Sequence, residues 1–137
     1  MNGKDFPEVV KLIRKKDVRY EKGAYFFMRQ ALDHTLIDLK KSQLAKKSNH
    51  VSGGELIGGI RDFALSQYGP MTYTLLTHWG LRKTDDFGNI VFNLVDYGVL
   101  GKTENDSPKD FKGGYTFEEA FLHPFLPKSK LGDVEKN

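Results

Sequence analysis

The chain has no cysteine. Disulfides, thiolate metal sites and cysteine nucleophiles are therefore excluded. It also lacks any long apolar run. The longest, AYFFM at 24–28, falls far short of the length needed to cross a bilayer, so no membrane partner is expected. The N-terminal MNGKDFPEVV has no basic region followed by an apolar one, so no signal peptide is expected. Together these absences suit a reducing cytoplasm. The patterns HExxH, GxSxG and the P-loop are missing, and no two of the four histidines have a metal-ligand spacing. His34 stands beside Asp33, but adjacent helical positions point about 100° apart, so these two form no dyad. Gly53-Gly54 and Gly58-Gly59 lack the strand and lysine of a phosphate cradle. No catalytic residue, metal or cofactor is expected, which leaves an enzyme with an unrecognised site as the alternative furthest from these patterns.

What is present is ample core material. Ten Phe, six Tyr and one Trp in 137 residues allow one domain of ordinary size to bury a core without staples. The formal charge is +3, unevenly placed. Residues 1–50 carry twelve Lys or Arg against six Asp or Glu, giving +6, and residues 51–137 carry nine against twelve, giving −3. A basic half can mark contact with an anionic partner. It is equally explained as a solvated, lysine-rich helix exterior.

Periodicity predicts five helices. The first begins at Asp5, where Asp5-Phe6-Pro7-Glu8 reads as a cap followed by an early proline, with Val9, Leu12 and Ile13 inward. The second runs from about Glu21 to Lys41 on a stripe of Tyr25, Met28, Leu32, Leu36 and Leu39, widened by Phe26 and Phe27. The third starts at the capping box Ser52-Gly53-Gly54-Glu55 and buries Leu56, Ile60, Phe63 and Ala64. After Tyr68-Gly69-Pro70, the fourth carries Met71, Leu75 and Trp79 and stops at Gly80, with Trp79 expected against the fifth helix. The fifth, capped by Thr84, turns Phe87, Ile90, Val91, Leu94 and Val95 inward and ends at Gly98.

A short connection containing Gly80 between the fourth and fifth helices is a helix-turn-helix pattern. VLGKT, a polar loop ENDSPKDFKGG and YTF then read as strand, wing and return strand. The alternative at the last piece is a helical turn over Glu118–Leu122, because Thr116-Phe117-Glu118-Glu119 is also a capping box. The expected fold is mainly α with a small β-hairpin, in one domain over 1–137. An N-terminal helical pair covers 5–50, a winged-helix-like part 51–117 and a tail 118–137.

The segments GAYFFMRQALDHT, HVSGGELIGGIRDFALSQYGPM and TDDFGNIVFNLVDYGVLGKTENDSPKDFKGGYTFEEAF resemble a small uncharacterised bacterial family confined to planctomycete and verrucomicrobial lineages. The resemblance spans about Phe6 to Pro127. It implies no activity, ligand or catalytic residue.

In a winged helix the second helix of the helix-turn-helix enters the major groove. Here its outward face would carry Asp85, Asp86, Asn89, Asn93 and Asp96. The two Asn suit adenine edges, but the three carboxylates would be repelled by phosphate. Arg82, Lys83, Lys102, Lys109 and Lys112 flank that helix and suit phosphates without reading sequence, though Glu104, Asp106 and Asp110 offset them. Weak, sequence-independent nucleic-acid binding is thus one reading. Contact with a protein partner, or with further copies of the chain, is favoured. Its candidate surface joins Asn89 and Asn93 to the apolar tail residues Phe121, Phe125 and Leu126. The plain alternative for the tail is folding back over its own core.

Overall fold

The computed structural model describes residues 5–46, 53–100 and 111–127, apart from the side chains of 39–46. Five α-helices make up most of it: α1 (Phe6–Lys16), α2 (Lys22–Lys46), α3 (Gly53–Tyr68), α4 (Thr72–His78) and α5 (Thr84–Asp96).

α1 has Pro7 and Glu8 in its first turn and Arg14, Lys15 and Lys16 in its last, the order favoured by the helix dipole. Asp5 caps it through its backbone alone, since its side chain makes no capping bond. Phe6, Val9, Val10 and Ile13 are buried, whereas Leu12, expected inward, is 47% exposed. On α2 the buried stripe is Ala24, Tyr25, Phe27, Met28, Ala31, Leu32 and Thr35. Leu36, assigned to it from periodicity, is exposed. The helix runs past the expected end at Lys41 to Lys46, and Leu39 lies outside the described side chains.

α3 packs against α2 in the most extensive helix pairing of the fold. Ile57, Ile60, Phe63 and Ala64 are buried, and Leu56 is half-buried. Its expected cap, Ser52, lies outside the described residues. A single 3-10 turn, Gly69–Met71, leads into α4. There the Thr72 hydroxyl donates to the Gly69 carbonyl at 2.6 Å. The buried stripe of α4 is Thr72 and Leu76 rather than Met71, Leu75 and Trp79; Met71 is 60% exposed. Trp79 packs on Phe27 and Tyr68, from α2 and α3, not on α5 as its spacing suggested.

Both helix stops fall where glycine placed them. Gly80 (φ 95°) donates to Thr77, and Leu81 reaches back to the Leu76 carbonyl. Gly98 (φ 75°) donates to Val95, and Val99 reaches back to Leu94. In each, the left-handed residue satisfies carbonyls that the helix end leaves open. The start of α5 differs from expectation. Lys83 occupies the extended cap position, and Thr84 is the first helical residue, buried at 1% exposure.

The expected hairpin has no counterpart among the described residues, which hold no strand. Val99 and Leu100 form a bend, and residues 101–110, which hold the rest of the expected first strand and the first part of the wing, lie outside the described residues. The return strand is reduced to one antiparallel bridge between Thr116 and Lys83. At Phe117 the chain turns helical: Glu119 N–H donates to the Thr116 hydroxyl at 3.1 Å, and a π-type turn spans Glu118–Leu122. The pattern explains it, since Phe117, Ala120 and Phe121 are buried at helical spacing while Glu118 and Glu119 face water. A 3-10 turn, His123–Phe125, follows. Phe117 stacks on Phe87, and Phe121 meets Phe117 and Tyr115 edge-on.

Candidate functional site

The polar side of α5 is built from Asp86, Asn89 and Asn93, three and four residues apart and so aligned on one face. Against that face lies the connection between α1 and α2. The Tyr20 hydroxyl donates to the Asp86 carboxylate at 2.5 Å, and Asn89 Nδ2 donates to Tyr20 Oη at 2.8 Å. The other oxygen of Asp86 accepts the backbone N–H groups of Arg82 and Lys83 at 2.9 and 3.2 Å. Asn93 Nδ2 donates to Asp17 Oδ2 at 2.9 Å and to Tyr25 Oη at 3.1 Å. Arg19 grips Asp17 in a two-pronged pair, Nε to Oδ1 at 2.9 Å and Nη2 to Oδ2 at 2.7 Å.

Asn89 and Asn93, expected on the outward face of this helix, are half-buried. Both amides are engaged by Tyr20, Tyr25 and Asp17, which fasten the α1–α2 pair onto α5. Asp86 belongs to the same network. Asp96 is exposed and Asp85 half-buried. The Arg19 bond, reinforced by Asn93, holds the Asp17 carboxyl well below the usual carboxylate range. Burial, and then the bond to Asp86, pushes the Tyr20 hydroxyl well above the usual phenol range; burial raises Tyr25 as well.

Of the basic residues expected to meet phosphate, Arg82, Lys83 and Lys112 are exposed, and Lys102 and Lys109 lie outside the described residues. Thr84 brings the first three to one end of the molecule. Its hydroxyl donates to the Phe111 carbonyl at 2.6 Å and accepts from Gly114 N–H at 3.2 Å, which seats the 111–114 turn at the start of α5.

The tail divides sharply. Phe121, expected at a partner surface, is fully buried in the core. Leu122, Phe125 and Leu126 are 37%, 43% and 37% exposed.

Two of the surface grooves flank α2. One, of about 290 Å³, lies between α2 and α3 and includes His34, Thr35, Asp38 and Gly59. His34 pairs with Asp38 at 3.2 Å, a carboxylate four residues on rather than the adjacent Asp33. That spacing was readable in the sequence and was missed. The buried Thr35 hydroxyl has no hydrogen-bond partner among the described residues. The second, of about 340 Å³, lies between α1 and α2. Among the described residues, no group of three or more His, Asp or Glu is disposed to hold a metal ion, and no helix is long and apolar enough to cross a membrane. The chain matches no protein-family model, no curated protein and no solved structure.

Proposed function

We propose that this chain is a non-catalytic, cytoplasmic binding domain that engages a protein partner through its C-terminal turn. The supporting observation is the exposure of Leu122, Phe125 and Leu126 within five residues of one another, beside a Phe121 that anchors the turn in the core. Full burial of such a side chain is worth about 1.5–3 kcal/mol, and an interface that covered the exposed part of each would recover a share of it. An apolar cluster held on a fixed turn loses little freedom on binding. The His34–Asp38 pair sits on an exposed helix exterior and fits an ordinary surface pair better than a catalytic dyad. The order α3–α4–α5 is winged-helix-like in this reading.

The test compares capture from native cells by the full chain, by Phe125→Ser with Leu126→Ser, and by Leu12→Ser as a control at another exposed apolar site. One stoichiometric protein held by the full chain and the control, but lost from the double variant, is expected. Equal capture by all three would sink the proposal. Sedimentation of the pure chain shows whether the partner is a second copy.

A second reading rests on the gathering of Arg82, Lys83 and Lys112. It is weak duplex binding through phosphate alone, insensitive to sequence and falling steeply with salt. Arg82→Glu with Lys112→Glu should abolish it. A sequence-selective complex would contradict it.

A further inference from the structure

The α1–α2 groove combines features that the C-terminal turn lacks. Its walls are Pro7, Val10, Lys11 and Arg14 from α1, and Lys22 and Phe26 from α2. The α1 residues lie at steps of three and four, so they form one stripe about two turns long. Val10 is 2% exposed and closes the floor. Phe26 is half-buried and braced edge-on by Phe6, their centroids 5.2 Å apart. The groove thus has an apolar bottom with a fixed ring on one side.

Its rim is cationic. Lys11, Arg14 and Lys22 line it, and among the described residues no carboxylate does. Arg14 is held in place, its Nε donating to the Tyr20 carbonyl and its Nη2 to Glu21, both at 3.1 Å. Glu21 at the edge offsets one of the three charges. Lys15 and Lys16 continue the positive end of α1. A duplex would use the cations but leave the recessed apolar floor empty. A segment with an apolar side chain between carboxylates uses both.

We propose that this groove docks an acidic amphipathic helix of a partner protein. One apolar side chain would sit between Val10 and Phe26, and flanking carboxylates would meet Lys11, Arg14 and Lys22, the helix-in-groove mode of recognition. Charge complementarity sets the association rate and the choice of partner, and the apolar anchor sets the lifetime. The groove is formed by other elements than the C-terminal turn, so either surface can fail without the other.

The probe is a synthetic, labelled amphipathic peptide helix with glutamates on one face and leucine and phenylalanine on the other. Fluorescence anisotropy is read against the full chain at two salt concentrations. Controls are a glutamate-only peptide and a DNA duplex of matched charge. Binding that weakens with salt, by about tenfold or more in Lys11→Glu with Lys22→Glu, is expected. The glutamate-only peptide should bind at least about tenfold more weakly than the amphipathic one. Both lysines are exposed, so the variant should keep its melting temperature, and Phe125→Ser with Leu126→Ser should bind the peptide unchanged. Three results would overturn the proposal: no peptide binding, equal binding by the charge-reversed variant, or tighter binding of the duplex with the same lysine dependence. The last would assign the groove to nucleic acid.

Discussion

Gly23 sets two effects of opposite sign against each other. Alanine is the better helix former by up to about 1 kcal/mol. Yet a Cβ at Gly23 would collide with the Trp79 indole, which lies across the first turn of α2 and is braced by Phe27 and Tyr68. Overpacking of this kind costs about 1–3 kcal/mol, so the clash prevails. Gly23→Ala should therefore destabilise the chain by about 1–2 kcal/mol in urea unfolding followed by Trp79 emission. An unchanged or raised midpoint would mean that the indole is free to move away. The contact also shows why Trp79 was assigned to the wrong neighbour. The surface that receives it combines Gly23, which has no side chain, with Phe27 and Tyr68 from α2 and α3, and spacing within one helix does not say which neighbour faces it.

The union of α5 with the α1–α2 connection makes stability depend on pH at both ends. Asp17 has its pKa lowered by Arg19 and Asn93. Its contribution is full above the ordinary carboxylate value of about 4 and is lost as pH falls below that toward the folded value. Tyr20 has its pKa raised by burial and by Asp86. Its contribution is full below about pH 10 and is lost as pH rises beyond. Thermal melts across pH should show Asp17→Asn flattening the acid limb alone and Tyr20→Phe flattening the alkaline limb alone. Identical profiles for both variants would remove the network as the cause. The same elements mark what could be read in advance. Phe87, Ile90, Val91 and Leu94 were legible because period 3.6 is local, and so were Gly80 and Gly98 because a left-handed stop is a single-residue property. The opposite face of α5 was not legible. Asn89 and Asn93 look like solvent-facing amides until Tyr20, Tyr25 and Asp17 arrive from a distant part of the chain, and hydropathy patterns say nothing about a polar partner.

Across the whole molecule, one core cluster takes residues from all five helices and from the Phe111–Phe121 segment. The tail is therefore part of the fold as far as Phe121. Phe121→Ala should cost about 3–5 kcal/mol, as deletion of a buried ring does. Phe125→Ser with Leu126→Ser should move the melting temperature less, because both side chains are partly exposed whereas Phe121 is fully buried. Comparable losses for the two variants in denaturant unfolding would place Phe125 and Leu126 against protein and weaken the case for an external partner. The tail was only half legible. Two prolines excluded a continuous helix, but the distinction between Phe121 and Phe125 depends on which reaches Phe117, a matter of three-dimensional register.

The bonds from Tyr20 to Asp86 and from Asn93 to Asp17 join groups 66 and 76 residues apart in the chain. Closing so long a loop is entropically costly, whereas the α2–α3 and α3–α4 contacts join near neighbours. The seam between the helical pair and α5 should accordingly close late, after the rate-limiting barrier. In stopped-flow chevrons, Asn93→Ala should leave the folding arm in place and raise the unfolding arm. A slowed folding arm would put the seam in the nucleus. If it does close late, it is also the first part of the native molecule to open, and its tyrosines and carboxylates then govern how long each folded copy survives between openings.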